Sequence, residues 1–114
     1  MKNFTKVMKA LSDPNRVKIV KMLQHRLMCV CKLREALQIA QSSVSKHLKI
    51  LEEAGLVDYK KDGLWVNYHL NDGMKSPYAA GLMGNLRHWL EDEPEMAELI
   101  KRLPYIRRVQ NCKR

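Results

Sequence analysis

The chain has little of what secreted domains and enzymes most visibly use. Only seven of its 114 residues are aromatic (one Phe, two Trp, four Tyr), so a core must be built from Leu, Val, Ile and Met. It has three cysteines, an odd number with two of them a single residue apart, which does not make a disulfide framework. They read instead as free thiols or metal ligands. No apolar run approaches the roughly 18 residues of a membrane span, and the N-terminus lacks the apolar core of a signal peptide. Both absences predict a cytoplasmic chain, where thiols stay reduced. There is no internal repeat, low-complexity tract or Pro/Gly-rich linker. Paired catalytic carboxylates, a nucleophile motif, a Gly-rich phosphate loop and a CxxC are missing too, which argues against an enzyme.

Acid is scarce as well. Lys and Arg number 21 against 12 Asp and Glu, a net charge of +9, and the sequence pI is near 9.7. A domain this basic carries the electrostatic footprint of a polyanion partner. Glu91, Asp92, Glu93, Glu95 and Glu98 gather in one cluster, so the first 70 residues and the tail are more basic than the mean. The length fits one domain, one that dimerisation would help to bury its apolar surface. We expect that domain over residues 1–103, with 104–114 as a basic tail.

Helical spacing appears first at Phe4, Val7, Met8 and Leu11. Asp13-Pro14 then reads as a helix start, a capping side chain followed by a proline whose missing N–H costs nothing in the first turn. Val17, Val20, Leu23 and Leu27 recur on one face, with Arg16, Lys18 and Lys21 expected toward solvent. A short helix over 30–37 is separated by Gln38-Ile39-Ala40 from a longer one over about 41–54, which Gly55 stops. Two helices joined by a three-residue turn match a helix-turn-helix. The period then changes. Two β-prone runs, 56–61 and 64–70, flank Asp62-Gly63, a strong hairpin signal. Helical patterns resume from Pro77 to Leu90 and over 94–103. The expected fold is mainly α with a β-hairpin wing: a winged helix-turn-helix with extra helices at both ends.

A helix entering the major groove must lead with short polar and basic side chains and bury its other face. Gln41, Ser42, Ser43, Ser45, Lys46 and Lys49 lie off the Val44/Leu48/Leu51 face. Gln can pair with adenine edges, and Ser or Lys can meet bases or phosphates. His47 fits packing or phosphate contact better than base reading. Lys60 and Lys61 beside the hairpin turn suit a wing laid against the neighbouring backbone or groove. Double-stranded operator DNA is the expected partner.

Cys29 and Cys31 bracket Val30 at the expected start of the helix before the reading helix. Inside a regular helix, residues two apart point about 200° apart and could not share an ion, so shared ligation needs a non-helical backbone at Cys29. A helix N-terminus permits that, and its dipole lowers thiol pKa. Two thiolates favour a soft ion: trivalent arsenic or antimony, or cadmium, lead or zinc. Equally open is that both are small buried hydrophobes. Cys112, in the tail, is either a third thiol or incidental.

These segments together, Leu27 to Leu33, Gln41 to Leu51, Glu53 to Val57 and Gly63 to Leu70, resemble the arsenic-repressor (ArsR/SmtB) family, and Ala10 to Arg16 fits the same pattern. The resemblance covers roughly residues 5–72. It implies a homodimeric winged-helix repressor that holds its operator without metal and lets go when a metal or metalloid ion binds, as(III) or antimony(III) above all. It also implies a third cysteine two residues after the second, where this chain has Arg34, which leaves Cys112 as the candidate third thiol. The family's other site, carboxylates and imidazoles on the last helices, finds only Asp72 and His88 here. Rival expectations keep the DNA binding but make the thiols redox-responsive or inert, or make the chain a dimeric protein-interaction adapter.

Overall fold

A computed structural model describes residues 1–71 and 76–106. Four helices come first: α1 Lys2–Ala10, α2 Pro14–Leu23, α3 Val30–Leu37 and α4 Gln41–Glu53. A hairpin follows, β1 Val57–Asp62 and β2 Trp65–Leu70, then α5 Pro77–Leu86, α6 Pro94–Arg102 and a 3-10 turn, Leu103–Tyr105. This is the expected winged helix-turn-helix with flanking helices. No described helix is long and apolar enough to cross a membrane.

Local chemistry sets the helix ends. Asp13 caps α2, its Oδ1 accepting from the amides of Asn15 (2.8 Å) and Arg16 (3.2 Å), with Pro14 in the first turn. Partial burial pushes the Asp13 carboxyl up. The two amide donors and, at the acid pH where it titrates, the charges of His47 and Arg16 outweigh that and hold its pKa below the ordinary 3.8. A depressed carboxylate pKa stabilises the fold above the unfolded-state value, and the contribution is lost as pH falls through the folded one. Asp13→Ala is therefore expected to cost about 1 kcal/mol at neutral pH, as capping aspartates do. In urea titrations the gap between variant and wild type should close below pH 3.8. An equal gap at both pH values would remove the capping role.

α4 stops in a Schellman arrangement. Gly55 takes φ +78°, its N–H reaches Glu52 O at 3.0 Å, and Leu56 N–H reaches Leu51 O at 2.9 Å. α3 ends without glycine: Gln38 adopts φ 57°, and its side-chain amide donates to Glu35 O at 2.7 Å. The turn between α3 and α4 falls on Gln38, Ile39 and Ala40 as expected.

The hairpin differs by one residue. Asp62 pairs with Trp65, so the two-residue loop is Gly63-Leu64 rather than one centred on Asp62-Gly63. Gly63 sits at φ +62°, the first central position of a type II′ turn, where glycine is required. Tyr59 and Tyr68 face each other across the strands with ring centroids 5.7 Å apart. Met28 pairs with Tyr68 on the free side of β2, so a single residue of the α2–α3 connection adds to the sheet.

The main core runs from Ile19, Val20 and Met22 of α2 through Leu33 of α3 and Val44, Leu48 and Leu51 of α4 to Leu56, Val57, Val66 and Tyr68. Met96, Leu99, Leu103 and Ile106 join it, so buried residues continue past 103. Arg26 Nη1 donates to Leu103 O (3.0 Å) and Arg102 Nη2 to Ala36 O (3.2 Å), fastening this end to the scaffold helices. Lys18 pairs with Glu95 of α6.

Several expectations fail on α2 and α5. Arg16 and Lys18, expected toward solvent, keep only 15% and 18% of their side chains exposed. Lys21 is fully buried rather than solvated. Its Nζ donates to Leu86 O (2.7 Å), Trp89 O (2.9 Å) and Glu91 Oε1 (2.7 Å). Leu27 lies beyond the end of α2 and is exposed. α5 ends at Leu86 instead of Leu90, because the chain turns there to bring three acceptors to the lysine.

Candidate nucleic-acid interface and thiol pair

Charge on α4 is arranged about one buried line. Val44, Leu48 and Leu51 face the core. Ser42, Ser45, Lys46 and Lys49 are exposed, while Gln41, Ser43 and His47 are partly buried at the edge of the same face. Lys60 and Lys61 are exposed on β1, next to the wing tip. Polar hydroxyls and an amide lead the helix, ammonium groups flank it, and a second basic point lies on the wing. That set offers hydrogen bonds to base edges and charge to phosphates.

Two arginines hold this helix: Arg16, which the spacing turns to solvent but whose side chain is only 15% exposed, and Arg34, which stands where the resemblance implies a cysteine. Arg16 lies where α1, α2 and α4 meet. Its Nε donates to Ala10 O (2.7 Å) and its Nη2 to Lys9 O (3.3 Å), carbonyls at the end of α1. Its Nη1 is 3.1 Å from His47 Nδ1. Arginine only donates, so His47 Nδ1 accepts, and a neutral His47 carries its proton on Nε2. His47 is thus tied to the scaffold through one nitrogen. Arg34 Nη1 donates to Gln41 Oε1 at 3.4 Å, linking α3 to the first residue of the reading helix. A polar periodicity alone carries no sign of either contact, because the partners lie on other helices.

The thiols sit at the start of α3, the helix that precedes α4. Cys29 is the N-cap of α3 with extended backbone, φ −85° and ψ 169°, which is the non-helical geometry that shared ligation requires. Cys29 and Cys31 are both buried and form a small cluster apart from the main core, with Trp65 packed against it. Cys29 carries a free thiol, whereas Cys31 is disulfide-bonded. A soft-ion site therefore concerns the reduced protein. Two neighbouring cysteines, once reduced, suit a thiophilic ion, and a third donor must come from elsewhere. Among the described residues no group of three His, Cys, Asp or Glu side chains is placed to hold a metal ion. Cys112 and Asp72 lie outside the described residues. His88 is exposed on the turn after α5, far in the chain from the thiols.

Trp65 and Met28 were not singled out as site residues in the sequence. Alternation along β2 was the available signal: it puts Trp65 on the face opposite Val66 and Tyr68, and so outside the main core.

Comparison with known proteins agrees with this architecture. Residues 13–59, from the α2 cap through the reading helix into the wing, match the model of bacterial regulatory proteins of the arsR family. The arsenical resistance operon repressor of Escherichia coli is 32% identical over 105 residues, spanning 91% of this chain and 84% of its own length. The arsenic resistance transcriptional regulator ArsR1 of Pseudomonas putida is 33% identical over 101 residues, 84% of this chain and 79% of that protein. Among solved structures, reduced HlyU from Vibrio cholerae superposes with a TM-score of 0.66 at 27% identity, covering 78% of this chain and 90% of that one. The chain belongs to the ArsR family: it is a winged helix-turn-helix DNA-binding transcriptional regulator and not an enzyme.

Proposed function

We propose that the protein is a homodimeric repressor released from its operator when a thiophilic ion, arsenite or antimonite before cadmium, lead or zinc, binds Cys29 and Cys31. The observation that carries this reading is the placement of the pair. The two thiols occupy the cap and first turn of the helix that orients α4, and they are segregated from the hydrophobic core. Cys112 is the proposed third donor, from the same subunit or its partner. Drawing Cys29 and Cys31 into one coordination shell moves the start of α3, and α3 holds Gln41 through Arg34. Ion binding and DNA binding are then linked and reciprocal.

Dimerisation is supported by apolar side chains left at the surface. Phe4 and Met8 of α1 and Tyr78 of α5 are 43%, 36% and 43% exposed. Phe4 and Tyr78 already pack edge to face at 5.3 Å. In a dimer each reading helix must meet a half-site about 34–36 Å from its partner's, so a small rotation of either breaks register.

Contact with DNA is assigned to Gln41, Ser42, Ser43, Ser45, Lys46 and Lys49 on α4 and to Lys60 and Lys61 on the wing, with His47 as a positioning or phosphate-contacting residue. Lys46→Ala and Lys61→Ala are expected to weaken binding to operator and random duplex alike. Each should reduce the slope of log affinity against log salt by about 1. An unchanged slope would take that lysine off the DNA. A chain whose DNA affinity ignores salt altogether is an interaction adapter, and the repressor reading fails.

Titrating the reduced protein–operator complex with arsenite, antimonite, cadmium, lead and zinc tests the function itself. Release by one or more ions at micromolar levels is expected, and no release by any of them sinks the ion reading. The disulfide at Cys31 favours one second reading, in which oxidation is the signal. Two thiols would then give two electrons and two protons to hydrogen peroxide, leaving a disulfide and two waters. Peroxide added to the same complex in place of an ion separates the two.

A further inference from the structure

The segment that enters α3 is attached twice to one strand of the wing. Met28 exchanges both backbone hydrogen bonds with Tyr68 of β2: Met28 N–H to Tyr68 O at 3.3 Å and Tyr68 N–H to Met28 O at 2.8 Å. One residue later, the Cys29–Cys31 cluster is covered by Trp65, at the other end of the same strand. Trp65 is also the partner of Asp62 in the last pair before the loop, so its position sets the position of the tip. Lys60 and Lys61 occupy the two preceding residues of β1, paired with Asn67 and Val66. The thiol pair thus belongs to the helix that orients α4 and also packs against the strand that carries the wing.

We propose that Trp65 is a positioning residue through which occupation of the thiol pair moves the wing, so that the wing and the reading helix leave the DNA together. The proposal rests on Cys29 and Cys31 being the ion site. Sulfurs converging on one ion change the surface on which the indole lies. Trp65 lies on the outer face of β2, away from the main core, so the ring shifts without opening that core. β2 is pinned at Tyr68 by Met28, so displacement at Trp65 tilts the tip rather than sliding the whole hairpin. The main-chain bridge acts as the pivot, and the indole as the lever.

The test uses the full chain, reduced, with cadmium and arsenite as probes. Ion binding is followed by thiolate-to-metal absorption, operator affinity by anisotropy, and the wing by the indole emission that Trp65→Phe removes. In wild type the Trp65 emission should change in step with the absorption. The ion should weaken operator affinity on the order of 5–150-fold, the usual range for coupled sites. Trp65→Ala should still develop the absorption, but its operator affinity should fall at least about fivefold less. Trp65→Phe, which keeps an aromatic cover, should restore most of the response and guards against a folding defect in the alanine variant. If the ion binds while Trp65 emission stays constant, or if Trp65→Ala releases DNA as wild type does, the wing coupling is overturned and the thiol site stands. If no absorption develops in wild type, the thiol site falls and this coupling falls with it.

Discussion

Cys29→Ser and Cys31→Ser are each expected to bind operator as wild type does and to keep it at ion concentrations that strip the wild-type protein. The loss is the whole coupling, typically about 5–150-fold in affinity, because serine offers a hard, protonated oxygen where a soft ion needs a thiolate. Basal affinity should survive since both side chains lie outside the main core, and serine is nearly isosteric. Anisotropy of a labelled operator fragment, with and without arsenite, reads both quantities at once. Release of either serine variant at the wild-type ion concentration would remove that residue from the site. Cys112→Ser is expected to weaken the response by less than either of these, since the buried pair provides the two converging sulfurs. A wild-type response from Cys112→Ser would show that the tail thiol takes no part.

The largest stability effect is expected at Lys21. Its ammonium has three acceptors, two of them carbonyls at the end of α5 and in the turn that follows. A cation there also opposes the negative end of the helix dipole. Lys21→Met keeps most of the volume and removes the donor, which leaves Leu86 O and Trp89 O without it and breaks the pair with Glu91. Costs of that kind run to about 2–4 kcal/mol. For a domain of this size that lowers Tm by more than about 8 °C. Glu91 keeps 45% of its side chain in solvent, so Glu91→Gln should cost less than about 1 kcal/mol. The hydrogen bond from Lys21 first, against partial desolvation, and then the charges of Lys21, His25 and His88 hold the Glu91 carboxyl below its ordinary range. Thermal melts of the two variants decide the matter. A Lys21→Met protein melting within about 2 °C of wild type would mean that the carbonyls find other donors and that the lysine is dispensable.

Most of the fold was legible because its boundaries are made locally. Asp13-Pro14 starts a helix and Gly55 ends one through bonds within a few residues, so the order of side chains along the chain is enough to find them. The same holds for the reading helix, whose buried line Val44/Leu48/Leu51 repeats on a single element. What escaped depends on distant partners. Lys21 reads as a solvated lysine until the turn after α5, some 65 residues later, brings carbonyls to it. The α5 end at Leu86 was missed for the same reason, since apolar spacing continues through Trp89 and Leu90 although the helix does not. The hairpin loop shifted by one because Asp62-Gly63 and Gly63-Leu64 are both acceptable turns, and the pairing of Asp62 with Trp65 selects the second. At the site, the thiol pair and the polar face of α4 could be read directly. The grip of Arg16 on His47 and the cover of Trp65 over the thiols could not, because no spacing rule relates residues on separate elements.

Arg34 gives the chain's departure from its family pattern a meaning of its own. The position where the resemblance implies a third thiol carries instead a guanidinium that holds Gln41 at 3.4 Å. In the proposed repressor this turn of α3 holds the first residue of α4 in place of supplying a ligand. If Cys112 is the third donor as proposed, substitutions at residue 34 would alter the hold on Gln41 without touching a ligand.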